Sequence, residues 1–254
     1  MSLIKITPDH IRAMKLRGEK IAALTAYDYQ MARLLDECGV PLLLVGDSLG
    51  MVVLGYPNTT LVTMAEMEHH TRAAARANPR ALLGADLPIH AYDNSTEAVA
   101  NARRLVAAGA EFVKAEGGHE ILEQVRAIIC EGIPFMGHIG MLPQHVLEEG
   151  GKYRIKGRDD AGHAKLLDDA AVLAEVGAFA VVLELVTPPV SKEITEQFPF
   201  ATIGIGSGPD CDGQILVTPD LIGTFPWFTP KFVKQELKAG ELVRGAIAKW
   251  KDSI

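Results

Sequence analysis

Six ionisable side chains stand at or just after the ends of five short apolar runs in this sequence. The runs are PLLLVG, ALLGAD, FVKAEGG, FMGHIG and AFAVVLEL, and the six residues are Asp47, Asp86, Lys114, Glu116, His138 and Glu184. If the runs are parallel β-strands, their carboxyl ends share one face, where parallel barrels build their active sites. Any one of these residues could instead cap a helix or pair with a neighbour, and His138 could be a core histidine. All six together predict an active site.

The charges of this set indicate which ligand it would take. Asp47, Asp86 and Glu116 bring three negative charges, and Lys114 offsets one of them. Two carboxylates roughly 4 Å apart repel by about 4 kcal/mol at an effective dielectric of 20, so the cluster must bind a proton or a cation. The set contains no thiolate, and hard oxygen ligands favour Mg²⁺ or Mn²⁺ over zinc. We therefore expect a divalent cation at Asp47, Asp86 and Glu116.

Strands and helices alternate along the chain. The apolar runs are continuous, as in parallel strands buried on both faces. We predict strands over 21–25, 41–46, 81–86, 111–115, 134–138, 178–184, 201–205 and 221–225 and a final helix over 231–250. Helix caps are predicted at Thr63, with Glu66 three residues on, and at Ser95. Residues 140–160 are predicted to form a loop.

Eight strands favour an α/β fold closed into a (β/α)8 TIM barrel. The 254 residues suit that fold, which needs roughly 250. We predict one barrel domain over 1–254 with a short N-terminal helical extension. A doubly wound open sheet has the same local pattern, and two smaller domains are compatible with the length.

Composition excludes several classes of partner. The net charge of −7 and the scattered Lys and Arg argue against nucleic acid and anionic membranes. No apolar stretch is long enough to span a bilayer. The opening residues lack a signal-peptide pattern, and the three cysteines are odd in number and widely spaced. We expect a reduced, cytoplasmic protein.

A series of motifs along nearly the whole chain resembles one enzyme family. In order, they include TAYDY (25–29), VGDSLG (45–50), ADLP (85–88), VKAEGG (113–118), GHIG (137–140), PQ (143–144), IGIGSG (203–208) and DGQILV (212–217). With these motifs in register, the chain resembles the ketopantoate hydroxymethyltransferases (3-methyl-2-oxobutanoate hydroxymethyltransferases) of pantothenate and coenzyme A biosynthesis.

The resemblance implies a fold, a reaction and roles for residues. It implies a TIM barrel that binds Mg²⁺ and transfers a hydroxymethyl group from 5,10-methylenetetrahydrofolate to 3-methyl-2-oxobutanoate, giving 2-dehydropantoate. Asp47, Asp86 and Glu116 would hold the metal, and Glu184 would accept the proton. Asp47, Asp86, Ser48, Lys114 and His138 would contact the keto acid. Similar enzymes are homo-oligomers, commonly decamers. The chain departs from the family pattern at Leu61, Met141, Leu142 and Pro219, none of which is a proposed metal or base position.

Other functions use some of the same residues. GDSL (46–49) is also the nucleophile block of a class of serine hydrolases, in which Ser48 would be activated by His163. A metal-dependent C–C lyase of the phosphoenolpyruvate/isocitrate lyase type would use the same strand-end carboxylates. The glycines of 204–208 hint at dinucleotide binding, and Glu66, His69 and His70 have the spacing of a helical metal site. A non-catalytic binding protein is the last alternative.

Overall fold

Eight parallel strands close into a barrel in the order β1 to β8, which confirms the predicted TIM-barrel class. The computed structural model describes residues 4–254. Residues 1–3, which belong to the predicted domain and to the opening segment considered for a signal peptide, lie outside the described residues. The strands are β1 Ile21–Thr25, β2 Leu42–Val45, β3 Leu82–Asp86, β4 Phe112–Lys114, β5 Phe135–Gly140, β6 Ala180–Glu184, β7 Ala201–Ile205 and β8 Gly213–Leu216.

Helices follow or precede the strands around the barrel. They are α1 Pro8–Leu16, α2 Tyr29–Glu37, α3 Leu49–Val52, α4 Met64–Ala75, α5 Ser95–Ala108, α6 Leu122–Cys130, α7 Asp160–Glu175, α8 Pro188–Gln197, α9 Thr218–Ile222 and α10 Ala239–Lys251. Single turns of 3₁₀ helix lie at Thr59–Leu61, His119–Ile121 and Pro143–His145. Across residues 4–254, every helix is too short or too polar to cross a bilayer.

The strands bury both faces, and this determines where the polar strand ends point. Along β2, Leu42 and Leu44 belong to one buried cluster, and Leu43 and Val45 to another. The first cluster takes alternate residues from nearly every strand and includes the edge-to-face pair Phe112 and Phe179. We identify it as the barrel interior, since residues two apart on a strand share a face. A side chain at position 84 would overlap the Phe112 ring, so glycine makes room for that packing.

The eighth strand was predicted in the wrong place. Residues 221–225 contain the end of α9 and Gly223, whose φ of 67° is left-handed and ends the helix. The observed β8 is only four residues long and begins with Gly213 and Gln214, which interrupt the apolar run that sequence reasoning relied on. It lies so close to β1 that a side chain at position 213 would overlap the Ile21 carbonyl oxygen.

Two helix starts also differ from prediction. The last helix begins at Ala239 and not at 231, because the segment before it makes turns with other partners: the Glu236 amide donates to the Leu221 carbonyl at 2.9 Å. Asn94, not Ser95, caps α5, since its side chain accepts from the Glu97 amide. The predicted capping box of Thr63 and Glu66 is present. The chain divides into two compact units, one up to Ile215 and one over Leu216–Ile254.

Candidate active site

Alternation along the strands carries the predicted polar residues to the mouth of the barrel. Asp86, Lys114, His138 and Glu184 continue the same alternate positions as the interior residues Leu82, Phe112, Met136 and Val182. Asp47 follows β2 and Glu116 follows β4. All six lie in the first compact unit, and five of them are at most 5% exposed. The structure therefore brings together six side chains that are spread over 137 positions of the sequence, from Asp47 to Glu184.

Asp86 links two of the strand ends. Its Oδ2 accepts a hydrogen bond from the Asp47 amide at 3.1 Å, and its Oδ1 lies 2.9 Å from Lys114 Nζ. The contact with Lys114 is an ion pair between two buried side chains. Among the described residues, Oδ1 has no hydrogen-bond or ion-pair partner besides the Lys114 ammonium. A carboxylate oxygen has more than one lone pair, so Oδ1 can also accept a cation.

Lys114 is the positive charge at the centre of the cluster. Burial alone would lower its pKa, but the charges of Asp86, Glu116 and Asp47 raise it above the usual value. The ammonium group therefore stays charged at neutral pH. It also lies 3.3 Å from His138 Nδ1.

The carboxylates show the opposite effect. Burial, followed by repulsion from Asp86, raises the pKa of Asp47 to about 7, although Lys114 and Gln144 oppose the rise. Burial and the charge of Asp47 raise the pKa of Glu116 well above its usual value. One lysine therefore does not balance the buried negative charge, as the charge count from sequence indicated.

His138 is a neutral imidazole between the cluster and Glu184. Burial, together with the nearby Lys114 charge, lowers its pKa well below the usual value. Its contacts with Glu116 Oε1 at 3.6 Å and Glu184 Oε2 at 3.4 Å are therefore not ion pairs. Because an ammonium can only donate, the contact with Lys114 assigns the lone pair to Nδ1 and the proton to Nε2, which faces Glu184.

Glu184 lies at the end of β6, and its side chain is 13% exposed. Burial raises its pKa to about 8; Lys114 opposes this rise and Asp86 adds to it. Its backbone carbonyl accepts from the Met141 amide at 2.8 Å, which fixes the strand end against the loop after β5. A carboxylate with a pKa near working pH can both remove and return a proton.

Ser48 lies beside Asp47 at the start of α3. Its hydroxyl is 2.8 Å from the Tyr27 hydroxyl. A side chain at Gly46 would come within 2.9 Å of Ser48 Oγ and 3.7 Å of Asp86 Oδ2, so glycine keeps this corner open. His163 Nε2 instead contacts Glu193 at 2.7 Å. The Ser–His pairing that a GDSL hydrolase needs is therefore not formed.

The two other alternative sites are not assembled either. Glu66 bonds to Tyr56 and Thr63, and His70 bonds to the Tyr27 carbonyl, so both are committed to packing α4. Gly204 lies within β7, and Gly206 and Gly208 follow that strand and lead into β8 at Gly213 without an intervening helix. A dinucleotide-binding glycine loop requires a helix N-terminus at that point.

The donor set suits a hard divalent cation. Three carboxylates converge on one buried mouth, Asp86 Oδ1 has only the Lys114 ammonium as a partner among the described residues, and the residues named at the site include no sulfur ligand. Within residues 4–254, however, no three His, Cys, Asp or Glu side chains are close enough together to form a complete ligand set. The chemistry of the carboxylate oxygens therefore fits Mg²⁺, whereas their positions in this structure do not yet form a metal site.

Comparison with known proteins identifies the family. The sequence profile described as ketopantoate hydroxymethyltransferase matches residues 5–254. The chain belongs to the ketopantoate hydroxymethyltransferase family. A relative from Moorella thermoacetica, named 3-methyl-2-oxobutanoate hydroxymethyltransferase, is 51% identical over 252 residues, which cover 98% of this chain and 93% of the relative. Relatives with the same name from Syntrophus aciditrophicus and Ignicoccus hospitalis are 51% and 49% identical, each over 98% of this chain and over 92% and 95% of their own lengths.

Solved structures show that this family's fold is shared more widely. A putative phosphonomutase from Burkholderia cenocepacia J2315 is similar with a TM-score of 0.70 at 14% identity, covering 95% of this chain and 98% of that one. Phosphonopyruvate hydrolase, solved with oxalate and Mg²⁺, gives a TM-score of 0.63 at 15% identity, covering 84% and 80%. At such identities the similarity establishes the barrel fold alone.

Two residues of the candidate site were not identified from sequence. Gln144 donates to Asp47 and Glu116, and Tyr92 contacts Gln144. Gln144 belongs to the PQ motif (143–144), but the sequence around a single glutamine in a loop does not indicate which residues it bonds to. Two of the positions at which the chain departs from the family pattern lie near this site. Leu142 precedes the turn that carries Gln144. Met141 is buried, and its backbone amide donates to the Glu184 carbonyl, a hydrogen bond that does not depend on the side chain at position 141.

Proposed function

We propose that the protein transfers a hydroxymethyl group from 5,10-methylenetetrahydrofolate to 3-methyl-2-oxobutanoate and releases 2-dehydropantoate. Family membership supports the reaction, since relatives at about half identity carry that enzyme name. The observation that carries it is the placement of Glu184, whose side chain is 13% exposed and whose pKa is raised, at a barrel mouth that also holds Asp47, Asp86 and Glu116. The chemistry needs a base beside a site for an anionic keto acid.

Asp47, Asp86 and Glu116 would hold Mg²⁺, and Mn²⁺ would suit the same oxygen ligands. A bound divalent cation would stabilise the negative charge that develops on the keto oxygen of the substrate by several kcal/mol. Two observations support this assignment: among the described residues Asp86 Oδ1 has only the Lys114 ammonium as a partner, and the pKa of Asp47 is raised.

Glu184 would remove the proton from C3 of 3-methyl-2-oxobutanoate. The resulting enolate carbon would attack the methylene carbon of the folate and break the first of its two carbon–nitrogen bonds, and the released nitrogen would take up a proton. Water would then replace the second nitrogen on that carbon. Its oxygen becomes the hydroxyl group of 2-dehydropantoate, and the second nitrogen leaves with a proton as tetrahydrofolate. Burial favours the base, since it keeps the pKa of Glu184 near working pH.

The remaining residues would orient the keto acid. Lys114, charged and 4% exposed, would pair with the substrate carboxylate, and Ser48 would contribute its hydroxyl next to Asp47. The Nε2 proton of His138 faces Glu184 and could bond to the substrate or to the new hydroxyl. Asp47 and Asp86 would contact substrate as well as metal.

Turnover with folate tests this function against that of a C–C lyase on the same fold. We expect 2-dehydropantoate to form from 3-methyl-2-oxobutanoate only when 5,10-methylenetetrahydrofolate is supplied, with one tetrahydrofolate released per product. The measurement is product formation by mass spectrometry beside folate absorbance. Cleavage of a hydroxy acid or keto acid without folate would instead identify a lyase. A homo-oligomer, expected to be a decamer, and a cytoplasmic location remain predictions.

A further inference from the structure

Gln144 connects the loop after β5 to three other strand ends. It lies on the 3₁₀ turn Pro143–His145 and is only 1% exposed. Its side-chain Nε2 donates to Asp47 Oδ2 at 2.8 Å and to the Leu87 carbonyl at 2.9 Å. Its backbone amide donates to Glu116 Oε2 at 2.9 Å. One residue therefore holds an oxygen of each of two carboxylates that follow different strands.

Tyr92 fixes the orientation of the Gln144 amide. The Tyr92 hydroxyl donates to Gln144 Oε1 at 2.6 Å. The Asp47 carboxylate and the Leu87 carbonyl can only accept, so the amide NH₂ must face them and its oxygen must face the tyrosine. Every polar atom of the Gln144 side chain is thus committed, and a rotated amide would set its oxygen against a carboxylate.

A neutral donor is the residue type that this position requires. A carboxylate in place of the amide would add another negative charge to a cluster that Lys114 does not balance. A second ammonium would neutralise Asp47 and compete with a cation. The amide orders the carboxylates and leaves their charge unchanged.

We propose that Gln144, oriented by Tyr92, is a positioning residue for the divalent cation. It holds Oδ2 of Asp47 and Oε2 of Glu116 and leaves the other oxygen of each carboxylate for the ion. This inference rests on the proposed function, because it assumes that these carboxylates bind metal. Groups that orient metal ligands contribute 10–100-fold in affinity.

Calorimetric titration of the apoprotein with Mg²⁺ tests the proposal. We expect Gln144→Met, which keeps the side-chain volume, to weaken Mg²⁺ binding roughly 10–100-fold. Tyr92→Phe removes the hydrogen bond that orients the amide, together with a longer contact of 3.3 Å to the Glu116 backbone carbonyl, and should weaken binding roughly 2–10-fold. His145→Ala is the matched control on the same turn, because the His145 ring contacts Glu148 at 3.2 Å. This variant should bind Mg²⁺ as the wild type does. In turnover assays, Gln144→Met should recover kcat at saturating Mg²⁺ while its apparent Mg²⁺ constant rises.

The outcomes separate this proposal from the proposed function. If the wild type does not bind Mg²⁺, the metal assignment itself fails. If the wild type binds Mg²⁺ and a folded Gln144→Met binds it equally well, the positioning role alone is wrong. Should Gln144→Met fail to fold, Tyr92→Phe decides: weaker Mg²⁺ binding supports the role, and unchanged binding overturns it.

Discussion

Replacing Glu184 with glutamine is expected to lower kcat for hydroxymethyl transfer by roughly 10²–10⁴-fold, the usual contribution of a positioned general base. The amide keeps the size of the side chain but cannot accept a proton. Because the proposed role of Glu184 is to act on the substrate carbon and not to hold the substrate carboxylate, the Kd for 3-methyl-2-oxobutanoate should stay within about threefold of the wild-type value. Steady-state kinetics and calorimetric titration of the keto acid measure the two effects.

The pH profile gives a second measurement of the same residue. The base is active when ionised, and burial raises the pKa of Glu184 to about 8. Wild-type kcat should therefore climb with pH, reach half of its maximum near pH 8 and level off above about pH 9, and a bound cation would displace the whole rise to lower pH. Glu184→Gln should lose this rise. Glu196→Gln, an exposed position on α8, is the control and should behave as the wild type. If Glu184→Gln turned over at the wild-type rate, Glu184 would not be the base.

Replacing Lys114 with methionine is expected to lower the free energy of unfolding by about 3–5 kcal/mol in metal-free buffer at pH 8, because it leaves buried carboxylates without their cation. Asp47, Asp86 and Glu116 all interact with this ammonium. The pKa of Asp47 is raised to about 7 and that of Glu116 is also raised, so both carboxyls protonate as the pH falls. Lys114 opposes both rises, so its removal raises these pKa values further and the variant takes up protons at higher pH than the wild type. The destabilisation should therefore shrink as the pH falls towards 7. Denaturant unfolding with chelator present measures it.

Lys192→Met is the matched control for this loss of charge. Lys192 is exposed on α8 and lies 3.9 Å from Glu196. A surface pair of this kind contributes at most about 1 kcal/mol. If Lys114→Met were no less stable than this control at pH 8, the carboxylates would not depend on Lys114 for compensation, and the charge account of the site would be wrong.

Much of the site could be predicted from sequence because parallel strands obey a simple rule. A continuous apolar run indicates a strand buried on both faces, and its carboxyl end lies on the active face of the barrel. That rule placed Asp86, Lys114, His138 and Glu184 at one mouth without any long-range information. Alternation also aligns them with Leu82, Phe112, Met136 and Val182 inside the barrel.

The failures occur where tertiary contacts replace local pattern. The short strand β8 carries Gly213 for a close approach to β1, and a glycine weakens the apolar signal of a strand. Residues 231–238 favour helix by composition, but Glu236 bonds to Leu221 instead of continuing a helical ladder. Gln144 and Tyr92 matter through partners that are distant in sequence, such as Asp47, 97 positions before Gln144. Single-residue types do not encode such partners.

The central claim is that the carboxylates of the barrel mouth bind a divalent cation and thereby allow Glu184 to remove the C3 proton. Exchange of that proton into D₂O, followed by NMR with the wild-type protein and no folate, tests it most directly. We predict rapid exchange with Mg²⁺, loss of exchange with a chelator, and recovery when Mg²⁺ is returned. Exchange at an equal rate in the chelated protein would contradict the claim.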